Sequence, residues 1–221
     1  MIKVILCDDH ALIRRGIRDT LADAADIEVI GEAGDYGELR GLMRNLAAGN
    51  PDGHATRCDV LVLDINLPGR SGLDVMHVLK DEGSPVKVLV VSMYPEDQYA
   101  IRALRAGAYG YVNKGGDPQL IVQAVRTVAQ GRKYVTPEIA QMLVESLTAP
   151  VPEHAHDKLS DRELQTLVMI ASGKRLSDIA EQLTLSPKTV SVYRARVLEK
   201  LGLQNNSELT VYAIRNGLVG E

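Results

Sequence analysis

The chain has 221 residues, 45% of them apolar and 24% charged, with a formal net charge of -4; this excludes a disordered or fibrous chain and leaves room for one large or two modest globular domains. Its two cysteines, Cys7 and Cys58, stand in no paired spacing, which excludes a disulfide scaffold or a Cys-based metal site and suits a reducing compartment. No apolar run approaches transmembrane length and the chain opens on a strand pattern instead of a signal peptide, so a cytoplasmic protein is expected.

The first 130 residues alternate strand-like apolar runs with helix-spaced ones. Strands are predicted at 2–7, 27–33, 59–63, 86–91 and 109–112, and helices at 11–21, 36–46, 73–79, 98–104 and 120–128. Five βα units with right-handed crossovers predict a doubly wound, flavodoxin-like parallel sheet of order 2-1-3-4-5. With no Phe or Trp, its core must be built from Leu, Ile, Val, Ala and Met. The polar, breaker-rich stretch 48–57 reads as an exposed loop with no assigned role, His54 included.

In that strand order the first and third strands are neighbours. The first runs into Asp8-Asp9, and the third, Val60-Leu61-Val62-Leu63, runs into Asp64 before turning at Pro68-Gly69. Three carboxylates then crowd the crevice at the carboxyl ends of the strands, where such sheets bind ligands. Two like charges about 4 Å apart repel by roughly 4 kcal/mol at an effective dielectric near 20, so a cation must offset them. Mg²⁺ is the expected one, because it takes one or two carboxylates and completes its shell with water and phosphate. The fourth strand ends in Ser92 and the fifth runs into Asn113-Lys114, at the same rim. The set describes a phosphoryl site: Asp64 as nucleophile, Mg²⁺ and Lys114 neutralising oxygens, Ser92 donating a hydrogen bond. Taken singly, each residue has a plainer reading as a helix cap, a strand end or a surface lysine. Their arrival at matching strand ends is what points to a site.

Asp8-Asp9, Asp64 followed by Asn66 and Pro68-Gly69, Ser92, Tyr111 and Lys114 together resemble the receiver domain of two-component response regulators, over about residues 1–130. The resemblance implies that Asp64 accepts phosphate from a sensor histidine kinase. It also implies that Asp9, Asp64 and the Asn66 backbone carbonyl hold Mg²⁺, with Asp8 acting through water. Ser92 and Tyr111 would be the switch pair, Ser92 moving toward the phosphoryl group and Tyr111 swinging inward behind it. Gly115 stands where many receivers carry a proline after the lysine.

A further helix is predicted at 137–147, and 148–158, with two prolines and no periodicity, reads as a linker. The chain thus divides into 1–130, a helical extension and linker at 131–158, and a second domain at 159–221. His154-x-His156 in the linker lacks a nearby third ligand for a metal.

The second domain carries eight Lys or Arg against seven Asp or Glu, so only a local patch can meet phosphate. Ser160-Asp161-Arg162-Glu163 is a capping box whose helix stops at Gly173. Ser177 is predicted to cap a short helix at 178–183, and Ser186-Pro187 to open a third at 188–201 that ends at Gly202. A fourth runs from about 207 to 216. Four short helices with a tight turn between the second and third describe an all-α helix-turn-helix unit. On the third helix, Val190, Tyr193, Val197 and Leu201 share the face predicted to pack inward. Opposite lie Lys188, Ser191, Val192, Ala195, Arg196 and Glu199, with Arg194 at the edge. A stripe small at its centre and basic at its flanks suits the DNA major groove: Val192 for a thymine methyl, Ser191 for a base edge, Lys188, Arg196 and an outward-reaching Arg194 for phosphates. Thr189 and Lys200 complete the expected DNA-contacting set. An ordinary solvated helix face is the plainer alternative.

Leu159-Ser160-x-Arg162-Glu163, Ile179-Ala180, Leu185-Ser186-x-Lys188-Thr189-Val190 and Lys200-Leu201-Gly202 resemble the LuxR-type output domain of the NarL/FixJ class, over 159–218. This implies sequence-specific binding of double-stranded DNA by the third helix and dimer pairing through the fourth. Ser191, where many relatives carry lysine, and Gln204-Asn205-Asn206, where arginine is frequent, imply fewer phosphate contacts. Joined, the halves are expected to form a phosphorylation-controlled transcription factor, not an enzyme. Its expected partners are a sensor histidine kinase, DNA, RNA polymerase and, once phosphorylated, a second copy of itself. Two rivals differ in testable ways. An aspartyl-phosphate phosphatase would carry Asp-x-Asp, and position 66 is Asn; a phosphate-independent DNA-binding protein would keep its DNA affinity with metal removed and Asp64 substituted.

Overall fold

The computed structural model describes residues 1–48, 56–94, 96–148 and 155–219, in two compact units, Met1–Glu145 and Ser146–Glu221. Residues 49–55 of the loop, His54 among them, and His154 lie outside the described residues.

In the first unit β1 (Ile2–Cys7), α1 (Ala11–Ala22), β2 (Ile27–Ala33), α2 (Tyr36–Ala48), β3 (Val60–Asp64), α3 (Gly72–Asp81), β4 (Lys87–Ser92), α4 (Glu96–Arg105), β5 (Gly110–Asn113) and α5 (Gln119–Ala129) alternate as the periodicity predicts, and α6 (Pro137–Thr148) spans the boundary at Glu145. The five strands pair in parallel in the order β2-β1-β3-β4-β5. The last three strands each sit one residue later than predicted. Apolar runs mark what is buried but not which polar residue at the end still pairs, and Asp64, Ser92 and Asn113 all do.

Alternation along the strands builds a core on each face of the sheet. Val4, Leu6, Val60, Val62, Leu89, Val91 and Val112 pack with Ile17 and Leu21 of α1 and with Ile121, Val122, Val125 and Val128 of α5. The intervening Ile5, Cys7, Leu61, Leu63 and Val90 are equally buried, which is why these strands read as continuous apolar runs. After α5 the chain returns to the sheet: Tyr134 bridges Gly110 of β5, and its amide donates to the Tyr109 carbonyl at 2.8 Å. The contact covers part of an edge that would otherwise present unpaired backbone groups. The pattern of 131–136 does not announce it.

The second unit holds a short 3-10 helix (Ala155–Lys158), α7 (Asp161–Ala171), α8 (Leu176–Gln182), α9 (Pro187–Leu201) and α10 (Asn206–Arg215). The Ser160 capping box, the Ser186 cap with Pro187 at the first helical position, and the left-handed Gly202 (φ 67°) that closes α9 are all present. One cap differs from the prediction. Helix α8 starts earlier, at Leu176, behind Arg175, with no side-chain cap, and Ser177 instead donates to Asp178 at 3.0 Å. Helix α10 starts one residue early because Asn205 caps it, accepting from the Glu208 amide. His156 packs Nδ1 3.0 Å from the Tyr212 hydroxyl of α10, a structural partner for one half of the linker's histidine pair.

Lys200 of α9 closes on Glu163 Oε2 at 2.6 Å. Burial disfavours the charged form of Glu163, but Lys200 and the hydrogen bonds of Ser160 outweigh it and hold the carboxyl below its ordinary range. A carboxyl depressed on folding stabilises the fold above its unfolded pKa, about 4.3, and that contribution is lost as pH falls through the folded value. Because Lys200 is partly exposed, Glu163→Gln is expected to cost about 1 to 2 kcal/mol at neutral pH. Urea melts should show the gap to the wild type closing as the pH is taken down through the carboxylate range. A gap that persists in acid would assign the loss to the cap geometry instead of the ion pair.

Candidate functional site

Parallel register decides which residues leave the sheet together. Cys7 pairs with Leu63, Asp64 with Val91 and Ser92 with Asn113, so Asp8, Asp9, Asp64, Ser92 and Lys114 emerge at one end. Lys114 Nζ lies 2.7 Å from Asp8 Oδ2 and 2.7 Å from Asp64 Oδ2, and all three side chains are buried. Asp64 Oδ1 is buried with no hydrogen-bond partner, an arrangement that costs free energy and calls for a reason. Burial pushes the Asp64 carboxyl above its ordinary range; Lys114 opposes this and Asp8 adds to it. Asp9 Oδ1 sits 2.7 Å from His10 Nδ1, while the His10 amide donates to Asp8 Oδ1 at 2.9 Å. Donor atoms of Asp8, Asp9, His10 and Asp64 all lie within 4.8 Å of one another. Each of the three carboxylates has a buried oxygen without a hydrogen-bond partner, Asp8 Oδ2 and Asp9 Oδ1 being ion-paired and Asp64 Oδ1 not, a donor set that fits a hard divalent cation. Asn66 follows two residues after Asp64, just beyond the end of β3.

Behind the carboxylates, Ser92 and Tyr111 are fully buried. Ser92 Oγ accepts from the Tyr94 amide at 3.1 Å, and the Tyr111 hydroxyl donates to the Tyr94 carbonyl at 2.7 Å, an oxygen that also takes Asn113 Nδ2 at 3.0 Å. Tyr111 is therefore turned inward in this structure. Burial pushes its phenol pKa up, so the group remains a donor. The described peptide bonds are all trans, that between Lys114 and Gly115 included; the Gly115 amide closes the turn on Asn113 Oδ1 at 2.7 Å. Cys7, beside the site, is no rival nucleophile: burial, then the charges of Asp64 and Asp8, push its thiol far up and keep it protonated.

Four residues the sequence reading passed over belong here. His10 meets Asp9; Arg14, one turn into α1, donates to the Asp8 carbonyl and pairs with Glu32 at 3.2 Å; Tyr94 gathers three hydrogen bonds of the switch region. Gly72, the first residue of α3, lies so close to β3 that a Cβ there would stand 2.1 Å from the Asp64 carbonyl oxygen. Adjacency to Asp8-Asp9 is a signal for His10. Nothing in the sequence signals Gly72.

In the second unit Val190 and Val197 of α9 are buried, Tyr193 and Leu201 partly so, and Lys188, Ser191, Val192, Ala195 and Arg196 face solvent. Several polar groups of the expected DNA-contacting set are already engaged. Ser191 Oγ donates to the Pro187 carbonyl at 2.9 Å, Thr189 Oγ1 shares a hydrogen with the capping Ser186 at 2.8 Å, and Arg194 Nε donates to Asn206 Oδ1 at 2.6 Å. Lys200, also exposed, pairs with Glu163 and braces α9 against α7.

Residues 4–126 match the family model for the response regulator receiver domain, and residues 157–213 that for bacterial regulatory proteins of the luxR family. The chain is 38% identical over 220 residues to the response regulator GacA of Pseudomonas aeruginosa, covering 99% of this chain and 98% of that protein. It is 38% identical over 219 residues to the response regulator UvrY of Escherichia coli strain K12, covering 99% and 96%. Among solved structures, the RcsB response regulator of Salmonella typhimurium aligns with a TM-score of 0.66 at 26% identity over 96% of each chain. RcsB bound to promoter rprA with the phosphomimetic BeF3- aligns at 0.62 and 25%, over 96% of this chain and 97% of that one.

Proposed function

The chain is a response regulator that joins a receiver domain to a LuxR-type output domain, and from that premise we propose that phosphoryl transfer to Asp64 controls DNA binding through α9. The observation that carries this reading is the buried, unpaired Oδ1 of Asp64 beside an ammonium that already holds its other oxygen. One oxygen of the Asp64 carboxylate forms the new bond to phosphorus while the bond from phosphorus to its donor breaks, the donor leaving with the electron pair. The donor is the phosphohistidine of a sensor kinase, or acetyl phosphate in its place. Lys114, anchored by Asp8, stays to meet the charge of the acyl phosphate. Asp9, Asp64 and the Asn66 carbonyl would hold Mg²⁺, with Asp8 acting through water, and the ion would supply charge neutralisation at the phosphoryl oxygens. Ser92 donates its hydroxyl hydrogen to a phosphoryl oxygen while its Oγ accepts from the Tyr94 amide. Tyr111, already inward, then holds the β4–α4 loop by its carbonyl.

On the output side Lys188 and Arg196 meet phosphates while Val192 and Ala195 lie against base edges. As RcsB is seen on promoter DNA, so this chain is read as binding a promoter, in pairs; exposed Val211 and Ile214 on α10 supply an apolar pairing face. We take the domain limits as 1–130 and 159–221, with 131–158 between. No described helix is long and apolar enough to cross a membrane, and a cytoplasmic regulator that turns over no substrate and acts with RNA polymerase is the consistent picture.

Gel shift against genomic fragments, with and without acetyl phosphate and Mg²⁺, tests both halves and their coupling; binding that ignores both additions would sink the switch. Arg196→Ala is expected to weaken binding about equally for all sequences and to lower the salt slope by about one unit. A loss confined to one base position would make Arg196 a reader of sequence instead.

A further inference from the structure

We propose that His10 is a fourth ligand of the cation site and biases it toward borderline divalent metals such as Mn²⁺ over Mg²⁺. This rests on the reading of Asp9 and Asp64 as metal-holding carboxylates and adds a nitrogen donor to an oxygen set.

Three observations converge on the imidazole. First, His10 occupies the N-cap of α1 in extended geometry (φ -84°, ψ 95°), yet its side chain makes no capping hydrogen bond. A Ser, Thr, Asp or Asn there would contribute about 1 kcal/mol to the helix, so the position forgoes a cap. Second, the ring is aimed at the carboxylates. The His10 amide is tied to Asp8 Oδ1 at 2.9 Å, and Nδ1 then lies 2.7 Å from Asp9 Oδ1 and 3.7 Å from Asp8 Oδ1. Third, the four donors lie within 4.8 Å of one another. Ligands on opposite sides of one ion at about 2.1 Å are roughly 4.2 Å apart, so shifts of a few tenths of an ångström bring all four into one shell. The acceptor at its centre is already buried and unpaired: Asp64 is 2% exposed and its Oδ1 has no hydrogen-bond partner.

The chemistry follows from the donor type. Mg²⁺ is hard, keeps its waters and gains little from a ring nitrogen, whereas imidazole suits the later first-row metals. The ion takes the place of the proton between Nδ1 and Asp9 Oδ1, which lie 2.7 Å apart, so that Nδ1 presents its lone pair to the metal. Mn²⁺ can then take this nitrogen without disturbing Lys114, which is held by the opposite oxygens of Asp8 and Asp64.

The test uses the full chain loaded with Mn²⁺. Pulsed electron paramagnetic resonance should show nitrogen coupling to the ion, lost in His10→Gln. The same variant should bind Mn²⁺ about tenfold more weakly while its Mg²⁺ affinity is unmoved. Absence of nitrogen coupling in the wild type overturns the proposal, as does coupling that survives in His10→Gln, since it then comes from one of the other four histidines. Equal tightening of both metals in the variant also overturns it, for the ring would then merely compete for Asp9. If Asp9→Asn binds Mn²⁺ as the wild type does, the metal site itself has been misplaced, a failure distinct from that of His10.

Discussion

Asp64→Asn is expected to take up no phosphoryl group from acetyl phosphate and yet, in metal-free buffer, to melt at or above the temperature of the wild type. The first half follows from the loss of the accepting carboxylate, whose Oδ1 is buried without a hydrogen-bond partner. With it should go the whole phosphorylation-dependent gain in DNA binding, which must amount to about 5.5 kcal/mol to move the populations from 1:99 to 99:1. The second half follows from linkage. Burial raises the folded-state pKa of Asp64 above its unfolded value, about 3.9, in spite of Lys114. A carboxyl raised on folding costs stability in its ionised form; the cost is full above the folded pKa and vanishes below the unfolded one. Asn removes that cost, so the advantage of the variant should be present at neutral pH and disappear in acid. Phosphate-affinity electrophoresis and thermal melts at two pH values read the two halves. Undiminished phosphate uptake would move the acceptor elsewhere, and a lower melting temperature at neutral pH would mean that the attraction of Lys114 outweighs burial. A site that weakens the fold while carrying out its chemistry is a common bargain.

Gly72→Ala is expected to be the most damaging single methyl group in the receiver domain. The added carbon would stand 2.1 Å from the Asp64 carbonyl oxygen and 3.0 Å from Ile65 Cα, and all of these are backbone atoms that no rotamer change can clear. The Gly72 amide also donates to the Ile65 carbonyl at 2.9 Å, so α3 cannot back away without breaking that bond. The loss should reach at least about 3 kcal/mol, the upper range for overpacking, and any folded fraction should be phosphorylated slowly because the β3–α3 turn carries Asp64 itself. Gly16→Ala makes the contrast: it sits inside α1 with open space around a Cβ and should stabilise by about 0.5 to 1 kcal/mol. Urea denaturation of the three proteins measures both; a Gly72→Ala chain within 1 kcal/mol of wild type, well below the expected range, would mean that α3 slides along the sheet more freely than its capping box at Ser71 suggests.

The sequence carried most of the architecture because its signals are local. Buried strands such as Val60-Leu61-Val62-Leu63 are continuous apolar runs, helices such as α5 repeat every three or four residues, and Ser160, Ser186 and Gly202 punctuate their ends through short-range hydrogen bonds or a positive φ. Alternating strands and helices with right-handed crossovers then leave few ways to order the sheet, and the predicted order places Asp8, Asp9, Asp64, Ser92 and Lys114 at one rim. Tertiary structure decided what depends on distances between residues far apart in the chain. Periodicity has no term for which oxygen of Asp64 Lys114 takes, for the turn of the His10 ring onto Asp9, for the return of Tyr134 to the edge of β5, for the spending of Lys200 on Glu163, or for the lack of room at Gly72. Those are settled by where two packed surfaces meet, and at close-packed density a few tenths of an ångström separates a contact from a clash.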